Sequence, residues 1–190
     1  MIPSFNQILK AHQEAIHLSF DGEGEKLLQK IADLISMALK SENKILLCGN
    51  GGSAADSQHI AAEFVGRFKK ERRALPAIAL TTDTSALTSI ANDYGYDMVF
   101  SRQVEALGDT GDILIAISTS GNSKNVLRAV EAAKKKGIVT IGFSGRDGGE
   151  LKKIADYCFL AHTKETSHVQ EVHSTALHAI CEVVDSHFEK

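Results

Sequence analysis

The sequence predicts an α/β fold built on a doubly wound, five-stranded parallel sheet, with helices before it and a long helix at the C-terminus. Three observations lead there. Five short apolar runs alternate with stretches of helical period, the pattern of parallel strands joined by crossover helices. Two of the runs end in glycine- and serine-rich clusters that lead into a helix, Cys48-Gly49-Asn50-Gly51-Gly52-Ser53 and Ser118-Thr119-Ser120-Gly121-Asn122-Ser123. A chain of 190 residues with 43% hydrophobic content can fill one core, so 1–190 is read as a single domain. Its helical segment covers about 1–40 and its α/β core about 44–190.

Taken in order, the first forty residues read as two helices. Ile8, Ala11, Ala15 and Leu18 share one face, and after Asp21-Gly22-Glu23-Gly24 the apolar period resumes at Leu27, Leu28, Ile31, Leu34 and Ile35. Strands are expected at 44–48, 76–81, 112–117, 138–143 and 157–160. Helices are expected at 54–68, 85–90, 96–106, 123–136 and from 167 to about 187. Sheets of this kind bind ligands beyond the carboxyl ends of their strands. Both glycine/serine clusters lie at such ends, which makes them parts of one site. No internal repeat or low-complexity linker interrupts the chain.

Composition excludes several classes. The net charge is only -3 and the basic residues are scattered, which leaves no footprint for nucleic acid. No apolar stretch approaches the roughly 20 residues needed to span a bilayer, and no signal segment is recognisable. A soluble, cytoplasmic protein with neither a membrane nor a nucleic-acid partner is therefore expected. Cys48, Cys158 and Cys181 have no paired spacing and are read as buried reduced thiols.

The motifs point to an anionic small molecule. Gly51, Gly52 and Ser53 open a helix, where unpaired backbone N–H groups and the positive end of the dipole attract phosphate. The 118–123 cluster repeats the arrangement, so a phosphorylated small molecule is expected. The plainer alternative is a tight turn in which Ser53 and Ser123 merely cap their helices. A dinucleotide fingerprint fails because Ala54 replaces its third glycine, and a phosphate-binding loop of the nucleotide hydrolases fails for want of a lysine. His59 and Glu63, four residues apart, leave one helix face and could bind metal or move protons. The C-terminal helix adds Gln170, Glu171, His173 and His178 among apolar residues. Asn92-Asp93 is placed to meet sugar hydroxyls or to cap. The stretch from Lys69 to Arg73 and the run Lys134-Lys135-Lys136 read as solvated surface, and His12, His17, His162, His168 and His187 as structural.

Together the 48–53 cluster, His59 with Glu63, Asn92-Asp93, the 118–123 cluster, Asp147-Gly148-Gly149 and Gln170-Glu171-Val172-His173 resemble the sedoheptulose 7-phosphate isomerase family of the sugar isomerase (SIS) domain superfamily. The resemblance runs from about residue 10 to the end. It implies the SIS fold, a homotetramer with active sites between subunits, and conversion of sedoheptulose 7-phosphate to D-glycero-D-manno-heptose 7-phosphate for bacterial surface polysaccharide. Carried onto this chain, it makes His59, Glu63, Gln170 and His178 ligands of one zinc ion per subunit, with Glu63 and His178 the acid/base pair. Asn50, Gly51, Gly52, Ser53, Glu63, Asn92, Asp93, Ser118, Thr119, Ser120, Ser123 and Gln170 would contact the substrate. Gln170 and His178 are eight residues apart, about 12 Å along a helix. They reach one ion only from opposite sides, past small Ser174, or else serve different roles or different subunits. The rival reading is a relative that is a non-catalytic tetramer binding the bacterial replication initiator. It lacks a histidine at the position of His178 and has arginine at that of Ser120.

Overall fold

The computed structural model describes residues 2 and 4–189. Two helices come first, α1 (Phe5–Ser19) and α2 (Glu23–Lys40), separated by the predicted glycine turn. Then follow β1 (Ile45–Gly49), α3 (Gly52–Val65), β2 (Ala77–Ala79), α4 (Thr84–Tyr94), a 3₁₀ turn (Tyr96–Met98) and α5 (Ser101–Leu107). The chain closes with β3 (Ile113–Ser118), α6 (Lys124–Lys135), β4 (Val139–Gly145), α7 (Gly149–Ile154), β5 (Tyr157–Ala161) and α8 (Thr166–Phe188). The strands form one parallel sheet in the order β2-β1-β3-β4-β5. This bears out the predicted class.

Alternation along the central strands decides the layers. Ile45 and Leu47 of β1 and Ile113, Ile115 and Ile117 of β3 join α1, α2, α3 and α8 in one core. Leu46, Cys48, Leu114 and Ala116 point the other way, into a second core with α5 and α6. Both faces are covered, which is why these strands read as continuous apolar runs rather than alternating ones.

Several expectations need correction. The strand expected at 76–81 is assigned to three residues, yet the Pro76 carbonyl accepts from the Ile45 N–H at 3.0 Å and Leu80 donates to Leu47 at 2.9 Å. Pro76 has no N–H to extend the ladder, so the strand sits at the edge. The helix expected at 85–90 runs through to Tyr94, so Asn92-Asp93 occupies its last turn and caps no helix start. The helix expected at 96–106 is broken into a 3₁₀ turn and α5. Helix α7 had no sequence signal, being six residues long behind a glycine pair. Cys158 is only partly buried, whereas Cys48 and Cys181 are buried.

Candidate active site

Strand β1 feeds leftward to β2, and β3 feeds rightward to β4. The sheet therefore reverses direction between β1 and β3, opening a crevice at their carboxyl ends. The two glycine/serine clusters follow β1 and β3 and face each other across that crevice. Gly51 holds φ at 56° ahead of α3, and Gly121 holds φ at 69° in the second loop, conformations that glycine adopts without strain. A Cβ on Gly121 would collide with the Gly148 carbonyl, so the loop lies directly on the turn before α7.

The capping alternative does not hold. Gly51 occupies the N-cap of α3 and no side chain caps that helix; Ser123 occupies the N-cap of α6, again without a side-chain cap bond. The Ser123 hydroxyl instead accepts from the Ser118 hydroxyl at 3.0 Å. Ser53 is buried inside the first turn of α3. No side-chain bond caps the start of α3, the condition under which a helix start receives an anion, whereas in the first turn of α6 the Val126 N–H is taken by Asn125 Oδ1 at 3.0 Å.

Helix α8 runs beside α3 in the same direction. Gln170 packs its amide on Gly52, where a Cβ would clash with it, and His178 lies against His59 two turns further on. The Nε2 atoms of His59 and His178 are 2.9 Å apart, and His59 Nε2 is 3.6 Å from Glu63 Oε1. One ligand atom from each of the three residues falls within 4.8 Å of the others, the one such group among the described residues. Phe68 stacks on the His178 ring, with centroids 5.4 Å apart and planes 12° from parallel. Half-buried Asp56 lies one turn before His59; burial raises its carboxyl pKa, and the imidazoles of His59 and His178 pull it partly back.

The donor chemistry suits a metal ion. The 2.9 and 3.6 Å separations around His59 Nε2 are ones that a single ion with bonds of about 2.0–2.2 Å can span, and three protein ligands leave a position open, as in catalytic zinc sites. Gln170, expected as a fourth ligand, is placed at the glycine turn, with its amide against Gly52. His59 follows Gly52 by seven residues, about 10 Å along α3.

Other expected residues are distributed around this crevice. Asn50, Gly51, Gly52, Ser118, Thr119 and Ser123 line its two loops. Ser120 also borders a cleft with Asn122, Arg146 and His162. Asn92 and Asp93 are exposed and bond to each other at 2.8 Å, with Asp93 beside Tyr94 and Arg102.

Arg72, read as surface, is buried. It donates to Asp185 at 2.6 Å and to the Glu63 carbonyl at 2.7 Å, and Asp185 also accepts the Lys69 and Lys70 amides. This pair ties the end of α3 to α8 just beyond Glu63 and His178. A run of basic residues carries no local signal that one member turns inward.

The SIS domain family model matches residues 11–145. The phosphoheptose isomerase of Helicobacter pylori strain P12 is 53% identical over 178 residues, 94% of this chain and 92% of the relative. That of Nitratiruptor sp. is 60% identical over 151 residues, 80% and 81% of the two chains. The chain belongs to the phosphoheptose isomerase family. Two solved members agree. The Neisseria gonorrhoeae enzyme superposes with a TM-score of 0.86 at 45% identity, covering 96% of this chain and 95% of its own. The Francisella tularensis enzyme gives 0.92 at 33% identity, covering 95% and 96%. The chain is therefore a phosphosugar isomerase of the aldose-ketose type, and the replication-initiator reading finds no support among these relatives.

Proposed function

We propose that the chain interconverts sedoheptulose 7-phosphate and D-glycero-D-manno-heptose 7-phosphate. The observation that carries this reading is the His59/Glu63/His178 group placed two turns along α3 from an uncapped glycine turn, within a member of this family. The phosphate is held by the helix-start amides and the hydroxyls of Ser118, Thr119, Ser120 and Ser123, and its binding energy orients the reacting carbons. Asn50, Asn92, Asp93 and Gln170 meet the sugar oxygens.

The reaction removes a proton from carbon 1 of the ketose, passes through an enediolate, and returns a proton to carbon 2. Glu63 and His178 are the proposed acid/base pair. Phe68 holds the plane of the His178 ring, and the Arg72 bond to the Glu63 carbonyl fixes the backbone from which that carboxylate projects. His59, Glu63 and His178 would hold the metal, zinc in this proposal, which when bound supplies Lewis-acid stabilisation to substrate oxygens. Gln170 is proposed both to touch substrate and to complete the metal shell. Its second role predicts that Gln170→Ala, loaded with zinc and dialysed, retains less metal than the unsubstituted chain by atomic absorption; equal retention confines Gln170 to the substrate.

We further propose a homotetramer in the cytoplasm, making heptose for surface polysaccharide. Exposed Phe5 and Leu9 on α1 and Met37 on α2 support association, and three free cysteines accord with a reducing compartment.

Proton NMR tests the central reaction: protein and sedoheptulose 7-phosphate in deuterated water, with and without zinc. Appearance of an aldoheptose 7-phosphate is expected. Its absence from folded protein under both conditions would sink this substrate assignment.

A further inference from the structure

We propose that Asn125 is a positioning residue that fixes the side chain of Asn50, so that Asn50 offers the substrate a hydrogen-bond donor and no acceptor. The proposal deepens the reading above and rests on the crevice between β1 and β3 being the phosphosugar site. Asn125 lies in the first turn of α6 and is only 3% exposed. Its Nδ2 donates to Asn50 Oδ1 at 2.8 Å, and Asn50 Nδ2 donates back to Asn125 Oδ1 at 2.9 Å. The two amides join across the crevice, one from the loop after β1 and one from the first turn of α6.

The direction of this pair is settled by a group that cannot reverse. The Val126 backbone N–H only donates, and it reaches Asn125 Oδ1 at 3.0 Å. Were the Asn125 amide flipped, its NH2 would face that N–H and the Asn50 NH2. The oxygen of Asn125 is thereby assigned, and Asn50 must follow with its own NH2 toward Asn125. Tyr96, from the segment just after Asn92-Asp93, donates its hydroxyl to Asn50 Oδ1 at 3.2 Å.

Counting lone pairs gives the consequence. An amide oxygen accepts two hydrogen bonds, and Asn50 Oδ1 already accepts from Asn125 and Tyr96. One N–H of Asn50 Nδ2 is left over. Asn50 therefore selects an oxygen that accepts, as in a carbonyl, phosphate or hydroxyl lone pair, and cannot itself receive a substrate hydroxyl proton. An amide already held by its partners also loses little rotamer freedom when substrate arrives.

A double-substitution cycle tests this. Asn50→Ala, Asn125→Ala and the double variant are assayed with sedoheptulose 7-phosphate, with thermal melts as the folding control. If Asn125 acts through Asn50, Asn125→Ala lowers kcat/KM about tenfold, the scale of one hydrogen bond, and adds no further loss in the Asn50→Ala background. Losses that multiply would overturn the proposal. If Asn125→Ala fails to fold, Asn125→Asp takes its place in the cycle, since it fits the same space and keeps both accepted bonds but cannot donate to Asn50. A crystal structure of the folded variant tests the proposal independently of turnover. Displacement of the Asn50 amide supports it, and an unmoved amide overturns it. An unsubstituted enzyme with no activity on this sugar would instead refute the substrate assignment, leaving Asn125 to be decided by the crystal structure.

Discussion

Two histidines on α8, five residues apart, have opposite surroundings. His178 shares a partly open group with His59 and Glu63, where a ring can exchange protons or bind an ion. His173 is fully buried; its Nε2–H donates to the Ser144 carbonyl at 3.1 Å, and its Nδ1 has no partner among the described residues. His178→Asn is expected to lower kcat by about 10²-fold or more while the fold persists, and unchanged turnover would remove His178 from the mechanism. For His173, burial depresses the pKa to about 4 against a slight rise from the Ser144 bond. Its neutral form is favoured in the folded state, while the unfolded chain takes up a proton below about 6.5. The resulting stability is present above pH 6.5 and lost as the pH falls toward 4, amounting to about 3 kcal/mol. Urea unfolding at pH 7 and pH 4.5 should show a smaller difference for His173→Gln than for the unsubstituted chain. An equal difference would mean that His173 is not held neutral. The residue pattern alone marked both histidines as polar groups on an apolar helix, and only the family resemblance set His178 apart, because burial depends on what packs against each face.

At the scale of elements, the joint between α3 and α8 sets the site. The helices were legible from their periods, yet their alignment depends on contacts far apart in sequence: Gln170 on Gly52, His178 on His59, and Asp185 on Arg72. Burial raises the Asp185 carboxyl pKa, but the Lys70 amide, the Arg72 guanidinium and the Lys69 amide outweigh it and hold the carboxyl below its usual range. The stability this confers is full above pH 3.8 and lost as the pH falls through the depressed value. Replacing Asp185 by Asn leaves a buried guanidinium uncompensated and should cost about 3–5 kcal/mol in urea unfolding. A loss below about 1 kcal/mol would show that water reaches Arg72. The inward turn of Arg72 is hidden in the sequence because its neighbours Lys69, Lys70 and Arg73 are exposed, and composition alone averages over the run. Helix α7 is hidden for the related reason that six residues contain too little of a period to recognise.

For the whole molecule, the decisive feature is the reversal of winding between β1 and β3, which brings residues 48–53 and 118–123 to one crevice. The proposed tetramer predicts a sedimentation mass four times the 20.5 kDa of the chain; a monomer at micromolar concentration would refute it. The sequence by itself determined the class of fold, the five strands, the two glycine/serine loops at strand ends and the pairing of His59 with Glu63, because these depend on local period, glycine placement and helical spacing. Only the tertiary structure decided that α1 and α2 cover the same face as α3 and α8, and brought His178, named by the family resemblance, within reach of His59 and Glu63. It alone turned Arg72 inward and paired Asn50 with Asn125. The contacts of His178 with His59, Arg72 with Asp185 and Asn50 with Asn125 join residues 75 to 119 positions apart, and no local pattern records a partner at that distance.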